Sequence, residues 1–251
     1  MNRKEEVRRL LSLSTEELIA ESKGQLKVTE TLDELYEYLA EEMVAEFRKA
    51  AKGARIINFI MPVGPTQPYR IMAEKINRES VSLKNVRFFF MDEYVDDERD
   101  ELIPQPQILQ DLPKMIEDAG GIEVCFGGIG IHGHVAFNEP GPGVAESDPR
   151  ILEINEFTRT IDSTRHKGVG GNLENFPRRA ITLGMRQCLG ARRMLLMTRN
   201  ESTEFLWANT ILRIAAAGQP GDDYPVTYCR RHSNCVIATD RATAAAPKFN
   251  I

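Results

Sequence analysis

Short apolar runs alternate with helical segments along most of this chain, and that alternation constrains its fold more than any other feature. RIINFIMP (55–62), NVRFFFM (85–91), IEVCFGG (122–128), AITLGM (180–185), RMLLMT (193–198) and CVIAT (235–239) each read as a strand. Their lack of polar alternation is the pattern of strands buried on both faces of a parallel sheet. Leu26-Lys27-Val28 reads as a further short strand ahead of them. Helices are expected over 31–53 with Gly53 as the stop, over 68–79, over 107–121, from Ser202 to Ala217, and briefly after Asp240. Parallel strands need crossover helices, so the sequence predicts a three-layer α/β/α, Rossmann-like fold with a mostly parallel sheet and right-handed connections.

Residues 3–23 read as one or two amphipathic helices, with Ser14 as an N-cap and Glu17 completing a capping box. They are expected as an N-terminal helical extension over 1–25, an appendage to one domain over 26–251. The length of 251 residues suits one large domain, and no internal repeat or Gly/Ser-rich linker divides it. Thirty-two Lys and Arg against 37 Asp and Glu leave a formal charge of -5, so no basic surface for a polynucleotide is expected. No run reaches the ~20 apolar residues that a bilayer requires. The charged N-terminus lacks a signal-peptide core, which predicts a cytoplasmic location without a membrane partner. Cys125, Cys188, Cys229 and Cys235 form no CxxC pair and are expected as buried or free thiols.

Open parallel sheets bind ligands outside the carboxyl ends of their strands, which directs attention to three loops. In MPVGPTQP (61–68), Gly64 and Thr66 lie between a strand and a helix N-terminus, a place that favours a phosphate. The same segment also reads as an ordinary strand-to-helix turn. MDEYVDDERDE (91–101) holds seven acidic residues and one basic residue, Arg99, so most of it is expected to be solvated. Asp92 directly follows the hydrophobic FFFM, where desolvation would raise its pKa toward that of a general base. FGGIGIHGHVAFNEPGPG (126–143) carries Gly127, Gly128, Gly130 and Gly133, which let the backbone approach a ligand, and projects His132, His134 and Glu139. Either His134 is an acid/base group partnered by Glu139 and acting with Asp92, or His132, His134 and Glu139 are ligands in the cupin-like spacing H-x-H-x4-E. The alternating α/β pattern argues against the metal reading, because cupins are all-β.

Three segments in order, MPVGPT, FFFMDEY and GGIGIHGHVAFNEP, resemble glucosamine-6-phosphate deaminases, also called isomerases. The G-H-x-A-F-N-E-P string distinguishes them from the related 6-phosphogluconolactonases, and the likeness spans roughly residues 26–245. The resemblance implies that an amino-sugar phosphate is opened, isomerised from aldose to ketose and stripped of ammonia, with no metal or other cofactor. A small-molecule sugar phosphate is the implied partner, and a homo-oligomer is left open. It assigns Asp92 as the base moving a proton from C2 to C1, His134 as the ring-opening histidine and Glu139 as its carboxylate partner. Gly64, Thr66 and Arg165 of DSTR fall on the implied phosphate site, and Gly128 and Gly130 on the substrate loop.

The chain departs from the family pattern in four places. His132 stands where the family has an aspartate, and a cationic His132 is expected to lower the pKa of His134. Pro65 replaces a glycine. The family's phosphate-binding lysine falls near Thr203, leaving Arg199 as the nearby cation. The stretch from Asp92 to His134 is shorter than is usual. Residues 140–177, with GPG early and GVGGN at 168–172, read as a cover with glycine hinges or as a surface loop. Retained alternatives are a sugar-phosphate isomerase without deamination and a sugar-phosphate sensor that has lost catalysis.

Overall fold

The computed structural model describes residues 2–64, 66–95, 106–165, 168–200, 202 and 205–247. In chain order it begins with α1 (Arg3–Leu11), α2 (Thr15–Glu21), β1 (Leu26–Thr29) and α3 (Leu32–Lys52). There follow β2 (Ile57–Met61), α4 (Gln67–Glu79), β3 (Val86–Phe90), β4 (Asp92–Val95), α5 (Pro106–Asp118) and β5 (Val124–Gly128). Then come β6 (Arg150–Glu153), α6 (Glu156–Arg165), β7 (Arg179–Thr182), α7 (Met185–Leu189), β8 (Arg193–Met197), α8 (Trp207–Ala217), β9 (Cys235–Asp240) and α9 (Arg241–Ala244).

Six of the strands form one sheet in the order β1-β9-β8-β5-β2-β3, and every pairing in it is parallel. Side-chain alternation assigns successive residues to two cores. Phe59, Val124, Phe126, Leu195 and Met197 meet Leu35, Leu39, Met43 and Phe47 of α3 on one face. Ile60, Cys125, Met194, Leu196 and Ile237 meet α5, α7 and α8 on the other. Both faces are covered, which is why these runs contain almost no polar residues.

Three expectations need correction. The run expected as a doubly buried strand at 85–91 is the sheet's edge: β3 pairs in this sheet only with β2, and Phe90 is 68% exposed. The run at 180–185 does not enter the parallel sheet. As β7 it centres a separate antiparallel sheet in the order β4-β7-β6, over a small core of Phe137, Ile154 and Ala180. The N-terminal helices are not an appendage. Ser14 caps α2 in the expected capping box with Glu17, but Leu10 and Leu18 are fully buried in the main core. Burial of such a leucine contributes on the order of 1.5–3 kcal/mol. Arg213 of α8, itself fully buried, donates to the carbonyl oxygens of Leu13 and Ala244 and ties both chain ends to the core.

The helix expected from Ser202 begins at Trp207, with residues 203–204 outside the described set. The acidic run is described only through Val95. The described part of residues 140–177 contains β6 and α6, and α6 contributes Asp162 and Arg165 to one wall of a cavity. All four cysteines are buried and free. Among the described residues no helix is long and apolar enough to cross a membrane.

Candidate active site

The carboxyl ends of β2, β3, β5 and β8 open into a cavity of about 320 Å³. Its floor is Pro62, Val63 and Gly64 after β2, Gly128 to Gly130 at the end of β5, and Met197, Thr198 and Arg199 at the end of β8. Its other wall comes from the small sheet and α6, with Tyr94, Phe137, Asp162 and Arg165, and from Trp207 at the start of α8. Asp92 stands where the two walls join. Met91 donates its N–H to Met61 O in the parallel sheet, and its own carbonyl accepts from Leu183 N beside the small sheet. The next residue therefore leaves a hydrophobic strand and enters β4 with its side chain on the cavity.

Burial pushes the Asp92 carboxyl from an ordinary 3.8 up to about 7, with the charge of His134 pulling it back and those of Glu93 and Asp162 adding to the rise. A carboxylate in that range suits a general base at neutral pH. His134 lines the same cavity, and its Nδ1 lies 3.0 Å from Glu139 Oε1. Burial by itself depresses the imidazole, but the Glu139 contact, with Asp162 and Asp92, outweighs it and leaves the pKa above the usual 6.5. Glu139 is the complement: burial raises its pKa, while His134, then the bond from Thr158 and the charge of His132, bring it below the usual carboxylate value. Thr158 Oγ1 of α6 donates to Glu139 Oε1 at 2.6 Å, so the carboxylate is oriented from a second element.

Gly130 is required by this packing. A Cβ built there would lie 1.8 Å from His134 Nε2, so the imidazole rests directly on the glycine backbone. Gly128 is different, since the nearest atom to a Cβ there is Gly64 O at 4.0 Å. The two loops approach one another through bare backbone.

Of the residues singled out in the sequence, Asp92, His134, Gly64, Gly128, Gly130 and Arg165 all line the one cavity. Glu139 reaches it through His134. Thr66 and His132 do not line it. Thr66 is exposed at the N-terminus of α4, and its side chain makes no capping bond. His132 packs edge-on against Phe157 at 5.3 Å. Gly133, with φ +69°, turns the chain between the two histidines, so they do not share a direction, and the charge of His132 acts on Glu139. Among the described residues no three His, Cys, Asp or Glu side chains form a group able to hold a metal ion.

The sequence reading missed Tyr94, Asp162, Thr158 and Trp207. Tyr94 OH donates to Asp162 Oδ2 at 2.8 Å, and Arg165 donates to Asp162 Oδ1 at 2.9 Å. The Arg165 guanidinium lies 5.5 Å from the centre of the Trp207 ring, a cation–π distance. Burial, then the charge and bond of Asp162, hold the Tyr94 phenol well above its ordinary pKa, so it remains a donor. Around the same cavity Thr198 Oγ1, Arg199 Nε and Trp207 Nε1 are buried and lack a hydrogen-bond partner among the described residues. The only available signals were the position of Asp162 within DSTR and the presence of a single tryptophan.

No family model matches the chain. A glucosamine-6-phosphate deaminase of Caenorhabditis elegans is 27% identical over an alignment of 204 residues that covers 69% of this chain and 75% of that relative. Among solved structures, a monomeric glucosamine-6-phosphate deaminase superposes with a TM-score of 0.72 at 20% identity, covering 88% of this chain and 98% of the other. A 6-phosphogluconolactonase from Trypanosoma cruzi superposes with a TM-score of 0.62 at 14% identity, covering 88% and 95%. These two likenesses establish the fold, and the C. elegans protein extends the likeness to sequence. The chain is thus similar in sequence to glucosamine-6-phosphate deaminases, with a fold shared by a deaminase of that name and by 6-phosphogluconolactonases.

Proposed function

We propose that this protein isomerises and deaminates an amino-sugar phosphate, glucosamine 6-phosphate or a near analogue, to a ketose phosphate and ammonia. The observation that carries the reading is the meeting of Asp92 and His134 at one cavity with Arg165 and Arg199. Two guanidinium groups suit a phosphate, and a carboxylate with an imidazole suits proton transfer between adjacent carbons.

In this reading His134, oriented by Glu139, moves the proton of the C1 hydroxyl to the ring oxygen and opens the sugar. Asp92 then takes the proton from C2 while the C1 oxygen is protonated, giving an enolamine. Return of that proton to C1 leaves an iminium at C2. Water adds there, ammonia departs, and the ketone remains. Each proton transfer supported by a positioned group is worth roughly 10²–10⁴-fold. Phosphate is held by Arg165 and Arg199 with the backbone of the Gly64 turn, and Thr66 has no part in it.

Incubation of the purified protein with glucosamine 6-phosphate tests this directly. The expected result is ammonia and fructose 6-phosphate in equal amounts. A folded protein that yields neither product would overturn the reading. Isomerised sugar that retains its nitrogen would replace it with an isomerase.

A further inference from the structure

We propose that Asp162 is a positioning residue for this reaction: from α6, on the wall opposite the strand ends, it holds the His134 imidazole in its protonated form. The proposal rests on the function argued above for the same cavity. Asp162 lines the cavity together with His134 and Asp92. Its side chain is only 17% exposed, and each oxygen is fixed, Oδ2 by the Tyr94 hydroxyl and Oδ1 by Arg165. The carboxylate is thereby fixed in place on the wall of the cavity that His134 also lines.

The charged groups around His134 come from every side. Glu139 and His132 lie on its own loop, Asp92 on β4, Asp162 and Arg165 on α6, and Arg199 beyond β8. Glu139 touches the ring directly. Of the two carboxylates that act on the imidazole across the cavity, Asp92 is the proposed base and changes charge during turnover. Asp162 makes no proton transfer in the scheme. Its influence reaches both partners, since it acts electrostatically on His134 and on Asp92.

The test is an NMR titration of the His134 imidazole in the wild type, Asp162→Asn, Asp162→Glu and Tyr94→Phe. Asp162→Asn keeps the shape of the side chain and removes its charge. Its expected effect is a drop of about tenfold in the proton affinity of His134, a change of one pKa unit. Asp162→Glu should restore most of that affinity, and Tyr94→Phe, which leaves the carboxylate, should move the midpoint by much less. A midpoint unmoved in Asp162→Asn, in a protein that melts as a folded domain, would overturn the proposal and leave Asp162 a merely structural group. The titration needs no turnover, so a protein inactive on glucosamine 6-phosphate would defeat the functional reading without deciding this one. Where turnover is present, the basic limb of its pH profile should move to lower pH in Asp162→Asn along with the imidazole.

Discussion

The two walls of the cavity were built by different rules. The strand-end wall consists of Gly64, Gly128 to Gly130 and Thr198 to Arg199, at the ends of adjacent parallel strands. The opposite wall gathers Tyr94, Asp162 and Arg165 from a small antiparallel sheet and one helix, brought together by pairings between distant segments. The first wall offers close backbone approach and one cation, Arg199, whereas the second offers the bonded group of Tyr94, Asp162 and Arg165. Catalytic power in such a site therefore depends on how the second wall is held against the first, and substitutions in each wall should fail differently.

The largest expected effect lies at the join. Asp92→Asn should lower kcat by about 10³-fold or more while leaving binding of the sugar phosphate nearly unchanged. Its stability should move the other way. A carboxyl whose folded pKa is raised from 3.8 to about 7 favours the folded state most below pH 3.8 and loses that contribution as pH rises through about 7. The asparagine variant should therefore melt higher than the wild type at pH 8, with a smaller gap at pH 5, as read by calorimetry. Turnover retained in this variant would remove Asp92 from the mechanism.

Within the strand-end wall, Gly130→Ala and Gly128→Ala make a paired comparison. The first must displace the His134 ring and should lose about 10²-fold in activity, while the second, whose Cβ would meet Gly64 O only at 4.0 Å, should lose less than about tenfold. Equal losses would mean that the imidazole position is not what Gly130 protects. On the opposite side of the same histidine, Glu139→Gln should lower the His134 pKa and cost roughly tenfold in kcat. Thr158→Val, which leaves the Glu139 carboxylate but removes its orienting bond, should cost a few-fold at most, about 1 kcal/mol.

Much of the first wall was legible in the sequence because it follows from local pattern. A doubly buried strand must be an apolar run, and the loop after it must face the ligand crevice, which located Gly64 and the loop carrying His134, while Asp92 was found after a run that is in fact the sheet's edge. The second wall was hidden for a physical reason. AITLGM has the same apolar look as RMLLMT, and only tertiary pairing decides that one joins the small antiparallel sheet and the other the parallel one. FFFM misled in the opposite sense, because an edge strand leaning on one neighbour can be as apolar as a central one. His132 looked equivalent to His134 from spacing alone, yet only His134 lines the cavity, and His132 packs against Phe157 instead. The leucines of the N-terminal helices were visible as an apolar stripe, but nothing in the stripe says which surface it covers.

Met91 is the single residue between β3 and β4, bonded to both sheets and 2% exposed. Its thioether seats against Gly127, where a Cβ would fall 2.8 Å from the Met91 methyl. The proposed base thus sits one peptide beyond a pivot wedged into the rigid half of the molecule. Any change in how the antiparallel layer sits on the parallel one would therefore fall first on the position of Asp92, one peptide beyond the residue seated in both.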